Sequence, residues 1–199
     1  MKNKDFFAHE TSVIDENVHI GEGAKIWHFS HLMSNSVIGK NCNIGQNVVI
    51  SPRVSLGDNC KVQNNVSIYT GVTCDDDVFL GPSMVFTNVI NPRSAVIRRD
   101  QYLKTHVGKG ASIGANATIV CGNDIGEYAF IGAGAVVTKY VKPFALVYGN
   151  PARQVGWISR YGHKLIFDDH GNAICPESKE YYSLRDNIVI LNPSLDDVK

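Results

Sequence analysis

From residue 14 an aliphatic side chain recurs at every sixth position: Ile14, Ile20, Ile26, Leu32, Ile38, Ile44, Ile50, Leu56, Val62 and Ile68, then Cys74, Leu80 and Phe86. Four places after each stands a small or medium residue, as at Val18, Ala24, Ser30, Ser36, Cys42, Val48, Val54, Cys60 and Val66. The phase returns at Val107, Ile113, Ile119, Ile125, Ile131 and Val137. A period of six fits neither the helical repeat of about 3.6 residues nor an alternating strand. It predicts an all-β chain, a parallel β-helix of hexapeptide repeats in which each hexad supplies a short strand and a turn.

Three hexads close one triangular coil, so residues eighteen apart stack at the strand spacing of about 4.8 Å. The first hexad position points inward and takes a branched aliphatic, which suits strand geometry. The fifth also points inward but has room only for a smaller side chain. Glycines at the second position (Gly21, Gly39, Gly57) and asparagines at the fourth (Asn41, Asn47, Asn59) are expected in turns that use left-handed backbone. The step from Phe86 to Val107 is not a multiple of six, which predicts a loop over 89–106 thrown out of the coil. That loop carries Arg93, Arg98, Arg99 and Lys104 against one acid, Asp100; long loops in compact proteins are usually functional. The repeat breaks at Gly149-Asn150-Pro151-Ala152-Arg153. Residues 1–153 are therefore read as the β-helix domain and 154–199 as a tail. Strand-like pieces at Lys164 to Phe167 and Asn187 to Leu191 flank a Gly171-Asn172 turn signal, and this tail is expected to cap one open end.

Composition changes this picture little. The 199 residues are 44% hydrophobic with a formal net charge of zero, which gives no electrostatic reason to expect nucleic acid or a membrane surface as partner. No run approaches the roughly 20 apolar residues of a membrane span, and the polar start from Met1 to Asp5 is not that of a signal peptide, so a cytoplasmic protein is expected. The five cysteines include no C-x-x-C pair. Cys42 and Cys60 fall one coil apart, near disulfide distance, and are read as buried reduced thiols.

The segment from Ile113 carries I-G-A-N-A-T-I-V-C-G-N-D-I-G-E-Y-A-F-I-G-A-G-A-V-V-T-K and then G-N-P-A-R. It resembles the C-terminal signature of hexapeptide-repeat acyltransferases that use acetyl-coenzyme A (acetyl-CoA). The resemblance implies a left-handed coil and a homotrimer with active sites between subunits. It also implies a cofactor groove at Gly132, Gly134, Lys139, Asn150 and Arg153, where small residues admit the pantetheine and cations meet the phosphates. Ile26-Trp27-His28-Phe29, Val62 to Tyr69, and Gly81 to Ser94 are similar to the nucleotide-sugar 3-N-acetyltransferases. Nearest is the branch acting on UDP-2-acetamido-3-amino-2,3-dideoxyglucuronate in surface-polysaccharide (O-antigen) assembly. A sister branch acts on dTDP-3-amino-dideoxyhexoses and commonly carries an acidic residue where this chain has Val89.

The register supplies its own candidates. His28, Gln46 and Asn64 are third-position residues eighteen apart, so they stack as an outward polar column beside Trp27 and Gln63. Asn88, also a third-position residue, stands just before the basic loop. The family match implies that Asn88 orients the sugar amine, while Gln46, Asn64, Arg93 and Arg98 are the expected substrate contacts. A histidine base is the rival, with His28, His31 and His106 as candidates. The alternatives to N-acetylation are an O-acetyltransferase with such a base, a β-helical carbonic anhydrase, and a non-catalytic β-helix. The second would show H-x-x-x-x-H spacing and the third an outward threonine ladder, and this chain has neither. No metal is expected.

Overall fold

A computed structural model describes residues 5–192; residues 1–4 and, in the tail, 193–199 lie outside the described residues. The chain winds into a β-solenoid with three sides. The first side is a ten-stranded sheet whose last two strands, Arg153–Ile158 and Lys164–Leu165, run antiparallel; the others are seven- and five-stranded parallel sheets. On the first side the ladder runs Ala8, Ile26, Ile44, Val62, Leu80, Ile113, Ile131, Val147, each paired with the next. First-position residues from Ile26 onward are buried, and so are the fifth-position residues Ala24, Ser30, Ser36, Cys42, Val48 and Val54. Each aliphatic so buried contributes roughly 1.5–3 kcal/mol relative to exposure.

The polar members of this core have partners inside the coil. Ser30 Oγ donates to the Gly45 carbonyl at 2.7 Å and accepts from Val48 N at 3.1 Å. Cys42 and Cys60 are free thiols that donate to the carbonyls of Gly57 and Asp75 at 3.1 and 3.2 Å. Burial pushes the Cys74 thiol well above its ordinary range, so it stays protonated.

The two turn positions work differently from one another. Fourth-position residues do take left-handed backbone, as at Asn41 (φ 55°) and Asn65 (φ 61°). Second-position glycines do not, which corrects the expectation for them. A Cβ on Gly57 would stand 2.6 Å from Asp75 C and Asp76 N of the next coil. Those glycines answer to the close approach of coils, a contact between residues eighteen or more apart that local propensity does not report.

The loop leaves after the strand Val85–Phe86, and the ladder resumes at Thr105–Val107. Thr73 and His106 then face each other 33 positions apart instead of eighteen. A short neck closes the loop, with Leu103 N donating to Asn88 O at 3.0 Å and Gly122 N to Lys104 O at 3.1 Å. Beyond the neck Ile90 and Ile97 are 61% and 85% exposed.

The tail returns over the last coil. Arg153–Ile158 pairs with Ala145–Tyr148, and a three-stranded antiparallel sheet follows (Asn172–Ile174, Tyr181–Arg185, Ile188–Asn192). Tyr182 is fully buried and meets the Phe144 ring edge-on, with centroids 5.8 Å apart. Its hydroxyl donates to Glu180 Oε2 at 2.6 Å and accepts from Arg160 N at 3.0 Å. Arg160 Nε donates to Glu180 Oε1 at 3.0 Å while its guanidinium lies over the Tyr128 ring. The end of the apolar column is thus closed by an aromatic and an ion pair.

Partial burial opposes the Glu180 charge, but hydrogen bonds from Arg160 and Tyr182 outweigh it and hold the carboxyl below its ordinary range. A carboxylate depressed in the folded state adds stability above its unfolded pKa, and that stability is lost as pH falls through the folded value. Glu180→Gln should therefore lower the melting temperature at about pH 7, by an amount corresponding to roughly 1–3 kcal/mol. The gap from the parent should narrow at about pH 4 and below. Thermal melts of both proteins across that range check this; a gap independent of pH would remove the ion pair from the account.

Candidate active site

The expected polar column exists. His28 O accepts from Asn47 N, Gln46 O from Asn65 N and Asn64 O from Ser83 N, each at 2.9–3.0 Å, so the three residues sit on successive coils at the corner between the first and second sides. Asn64 Oδ1 accepts from Gln46 N at 2.8 Å. His28 stacks on His9 with ring centroids 3.5 Å apart. Trp27, His28, Asn43, Gln46, Gln63 and Asn64 line an open hollow of about 240 Å³.

Asn88 occupies the next corner, between the second and third sides. Phe86 pairs with Ile119 and Ile119 with Val137, so Asn88 and Lys139 are both third-position residues of one column, with Cys121 between them. Two coils separate them, roughly 10 Å. The sequence marks both residues as candidates, but the aperiodic loop between them hides the shared corner. Asn88 gives its backbone carbonyl to the neck, while its carboxamide has no hydrogen-bond partner among the described residues.

The three histidines are not brought together. His31 lies on the second side, three coils before Asn88, with Nε2 2.9 Å from Asp15 Oδ1. His28 is on the first corner of the same coil as His31. Only His106 stands level with Asn88, just past the neck. Its Nδ1 faces Thr73 Oγ1 at 3.0 Å and its Nε2 faces Asp75 Oδ2 at 3.2 Å. Both ring nitrogens are thus engaged, so neither is open to an incoming amine. Among the described residues no group of three or more His, Cys, Asp or Glu could hold a metal ion.

Lys139 and Arg153 line one cavity of about 310 Å³ above the buried Val137, Val141 and Val147. Ala152 N donates to Val136 O at 2.8 Å, which seats Arg153 beyond the last strand of the second side. Lys142 lines the cavity too, and three cations over an apolar floor suit an anion joined to an apolar arm. Gly134 (φ 69°) faces open space, whereas the place of a side chain at Gly132 is filled by the Tyr148 ring. Gly132, Gly134 and Asn150 belong to the first corner, so within one chain the second side separates them from Asn88. Arg93 Nη1 donates to its own neighbour's carbonyl, Pro92 O, and Arg98 Nη1 to Gln101 Oε1 at 3.1 Å; Arg98 Nε is buried without a partner. Among the described residues, none of the loop's four cations forms an ion pair.

Comparison with known proteins supplies the class. The model for bacterial transferase hexapeptide (six repeats) matches residues 17–52, and that for the hexapeptide repeat of succinyl-transferase matches 36–70 and 104–139. The chain is 45% identical over 175 residues to dTDP-3-amino-3,6-dideoxy-alpha-D-galactopyranose 3-N-acetyltransferase of Aneurinibacillus thermoaerophilus, covering 88% of this chain and 90% of that one. A hexapeptide-repeat acetyltransferase of Vibrio cholerae O1 biovar eltor, complexed with acetyl coenzyme A, superposes with a TM-score of 0.55 at 25% identity, covering 61% of this chain and 70% of that one. The acetyltransferase domain of PglB from Neisseria gonorrhoeae FA1090 shares the fold (TM-score 0.50, 19% identity); the match covers 75% of this chain and 57% of that one. This chain belongs to the hexapeptide-repeat acetyltransferase family.

Proposed function

We propose that the protein transfers the acetyl group of acetyl-CoA to the 3-amino group of a nucleotide-linked sugar, and that the sugar is a dTDP-3-amino-3,6-dideoxyhexose. Near-full-length identity of 45% to an enzyme named for that reaction carries this reading. It favours the dTDP branch over the glucuronate branch, to which the motifs at 26–29, 62–69 and 81–94 and the side chain of Val89 point. Both cosubstrates are intracellular metabolites, which supports a cytoplasmic enzyme feeding surface-polysaccharide assembly.

The chemistry asks for alignment more than for a base. The neutral amine attacks the thioester carbonyl, forming the C–N bond; the tetrahedral oxyanion collapses and the C–S bond breaks with its electron pair on sulfur. The thiolate, or water, takes the ammonium proton. Asn88 suits this step because its free carboxamide oxygen can accept an N–H of the amine and aim the lone pair at the carbonyl. Lys139, on the same corner, and Arg153 would hold the phosphates of coenzyme A by charge-assisted hydrogen bonds. Arg93 and Arg98 are assigned to the anionic sugar nucleotide. Gly134 and Asn150, one corner away, would complete the groove from a neighbouring subunit of a homotrimer. The unpaired loop cations and the exposed Ile90 and Ile97 support such a neighbour.

A thiol-release assay tests the function: dTDP-3-amino-3,6-dideoxyhexoses should be acetylated in preference to UDP-2-acetamido-3-amino-2,3-dideoxyglucuronate, and the reverse preference restores the glucuronate branch. Asn88→Ala should cut kcat strongly, on the order of 100-fold, with little change in KM. His28→Ala, His31→Ala and His106→Ala should each keep more activity; a single histidine whose loss abolishes turnover in folded protein would install a base mechanism. Arg153→Ala should weaken acetyl-CoA binding by about 1–3 kcal/mol in calorimetry, more at low salt than at high. Unchanged binding would leave Arg153 a turn residue only. Sedimentation at micromolar concentration should give a trimer, and a fully active monomer would overturn the shared site.

A further inference from the structure

The carboxamide of Asn88 has no hydrogen-bond partner among the described residues, so its place is set through the backbone. That backbone stands where the coil opens into the loop over 89–106. The two limbs of the loop are tied to consecutive amides of the next coil. On the incoming limb, Gly122 N donates to Lys104 O at 3.1 Å and to Thr105 Oγ1 at 3.3 Å. On the outgoing limb, Cys121 N donates to Thr87 Oγ1 at 3.0 Å.

Thr87 grips the next coil at two points. Its N–H donates to Ile119 O at 3.0 Å, and its hydroxyl reaches past the end of that ladder to the Cys121 amide. Among the described residues no backbone carbonyl accepts from that amide. Gln46, also a third-position residue, has its amide met in the same way by a side chain, Asn64 Oδ1, at 2.8 Å. Cys121 is 1% exposed, so its N–H needs an acceptor from the protein. On the loop side, Asn88 O accepts from Leu103 N at 3.0 Å. The Leu103 side chain fills the space beside Gly122 (φ 80°), where a Cβ would stand 3.1 Å from Leu103 Cδ1. Asn88 is thus held by one bond toward the loop and, one residue back, by the Thr87 hydroxyl toward the core. Valine would fit the end of a strand as well as threonine, so the hydroxyl is what this position adds.

We propose that Thr87 is the positioning residue for Asn88. Its hydroxyl pins the last residue before Asn88 to the Cys121 amide and so keeps the carboxamide aimed while the amine attacks. Alignment is what such a pin controls, and displacing a reacting group by about 1 Å can cost about 100-fold in rate. Thr87 acts only through Asn88, so the assignment rests on the acetyl transfer proposed above and on the place of Asn88 in it.

Thr87→Val keeps the shape of the side chain and removes the acceptor, whereas Thr87→Ser keeps the acceptor. With acetyl-CoA and the amino-sugar nucleotide that the parent acetylates fastest, Thr87→Val should lower kcat about tenfold or more and leave both KM values within about twofold. Thr87→Ser should retain most of the parent's kcat. In an Asn88→Ala background Thr87→Val should cost nothing further, because the group it aims is gone. Hydrogen exchange of the peptide that holds Cys121 should quicken in Thr87→Val and not in Thr87→Ser. Acetyl-CoA binding by calorimetry certifies the fold of each variant. Thr87→Ala, which also lacks the acceptor, should repeat both the kcat loss and its disappearance in the Asn88→Ala background, and it stands in if the valine variant does not fold. Thr87 loses this role if Asn88→Ala is impaired while the valine and alanine variants turn over as the parent does. It loses it too if their losses are as large without Asn88 as with it, or if Thr87→Ser loses as much. Asn88→Ala as active as the parent would overturn the aiming role of Asn88 and that of Thr87 together. A parent that acetylates no amino-sugar nucleotide would overturn the reaction and this role with it, leaving only the pin that hydrogen exchange reports.

Discussion

Every other feature of this protein depends on one constraint: inward side chains must stack on their counterparts one coil away, at the spacing of adjacent strands. That spacing fixes which residues can be large, which must be small, and where the backbone has no room for a Cβ. Ile26, Ile44, Val62 and Leu80 form a continuous apolar column because each lies over the last. Gly57 and its equivalents follow from the same demand, since successive coils approach too closely at those turns for any side chain. The outward residues inherit the order of the core, so a polar column such as His28, Gln46 and Asn64 comes from the same register.

The loop shows how such a scaffold accommodates function. A solenoid tolerates an insertion at a corner because the ladder needs only its next strand to return in phase. The neck between Asn88 and Leu103 ensures that return, and the thirty-three-residue step leaves the core ladder unbroken on both sides. Asn88 is thereby held on a rigid corner while the cations beyond it project from the coil. The far end is settled differently. There the stacking has no successor, and the tail covers the last coil with Tyr182, Phe144 and the Arg160–Glu180 pair.

A β-helix lacks an interior site, so chemistry must be done on its corners and flat sides. In one chain the residues proposed for the amine, Asn88, and for the cofactor groove, Lys139 with Gly134 and Asn150, lie on two different corners. Joining them would take a second surface, which is the physical case for the proposed shared site.

The amino-acid sequence alone determined the solenoid, its three-sided coil, the inward positions and the place of the loop. A strict period of six is a local property repeated many times, and one burial rule explains all of it. The polar column was legible for the same reason. What only the tertiary structure decided lies where residues distant in number meet without a period. The second-position glycines proved to serve coil approach instead of left-handed turns, because the clash is with the next coil. Asn88 and Lys139 proved to share a corner, because an aperiodic loop lies between them in the count. His106, and neither His28 nor His31, came level with Asn88, yet with both ring nitrogens engaged by Thr73 and Asp75. Gly132 lost its open face to Tyr148, and Trp27 gained a fixed orientation from Asn43, contacts set by side-chain packing between coils that no repeat encodes.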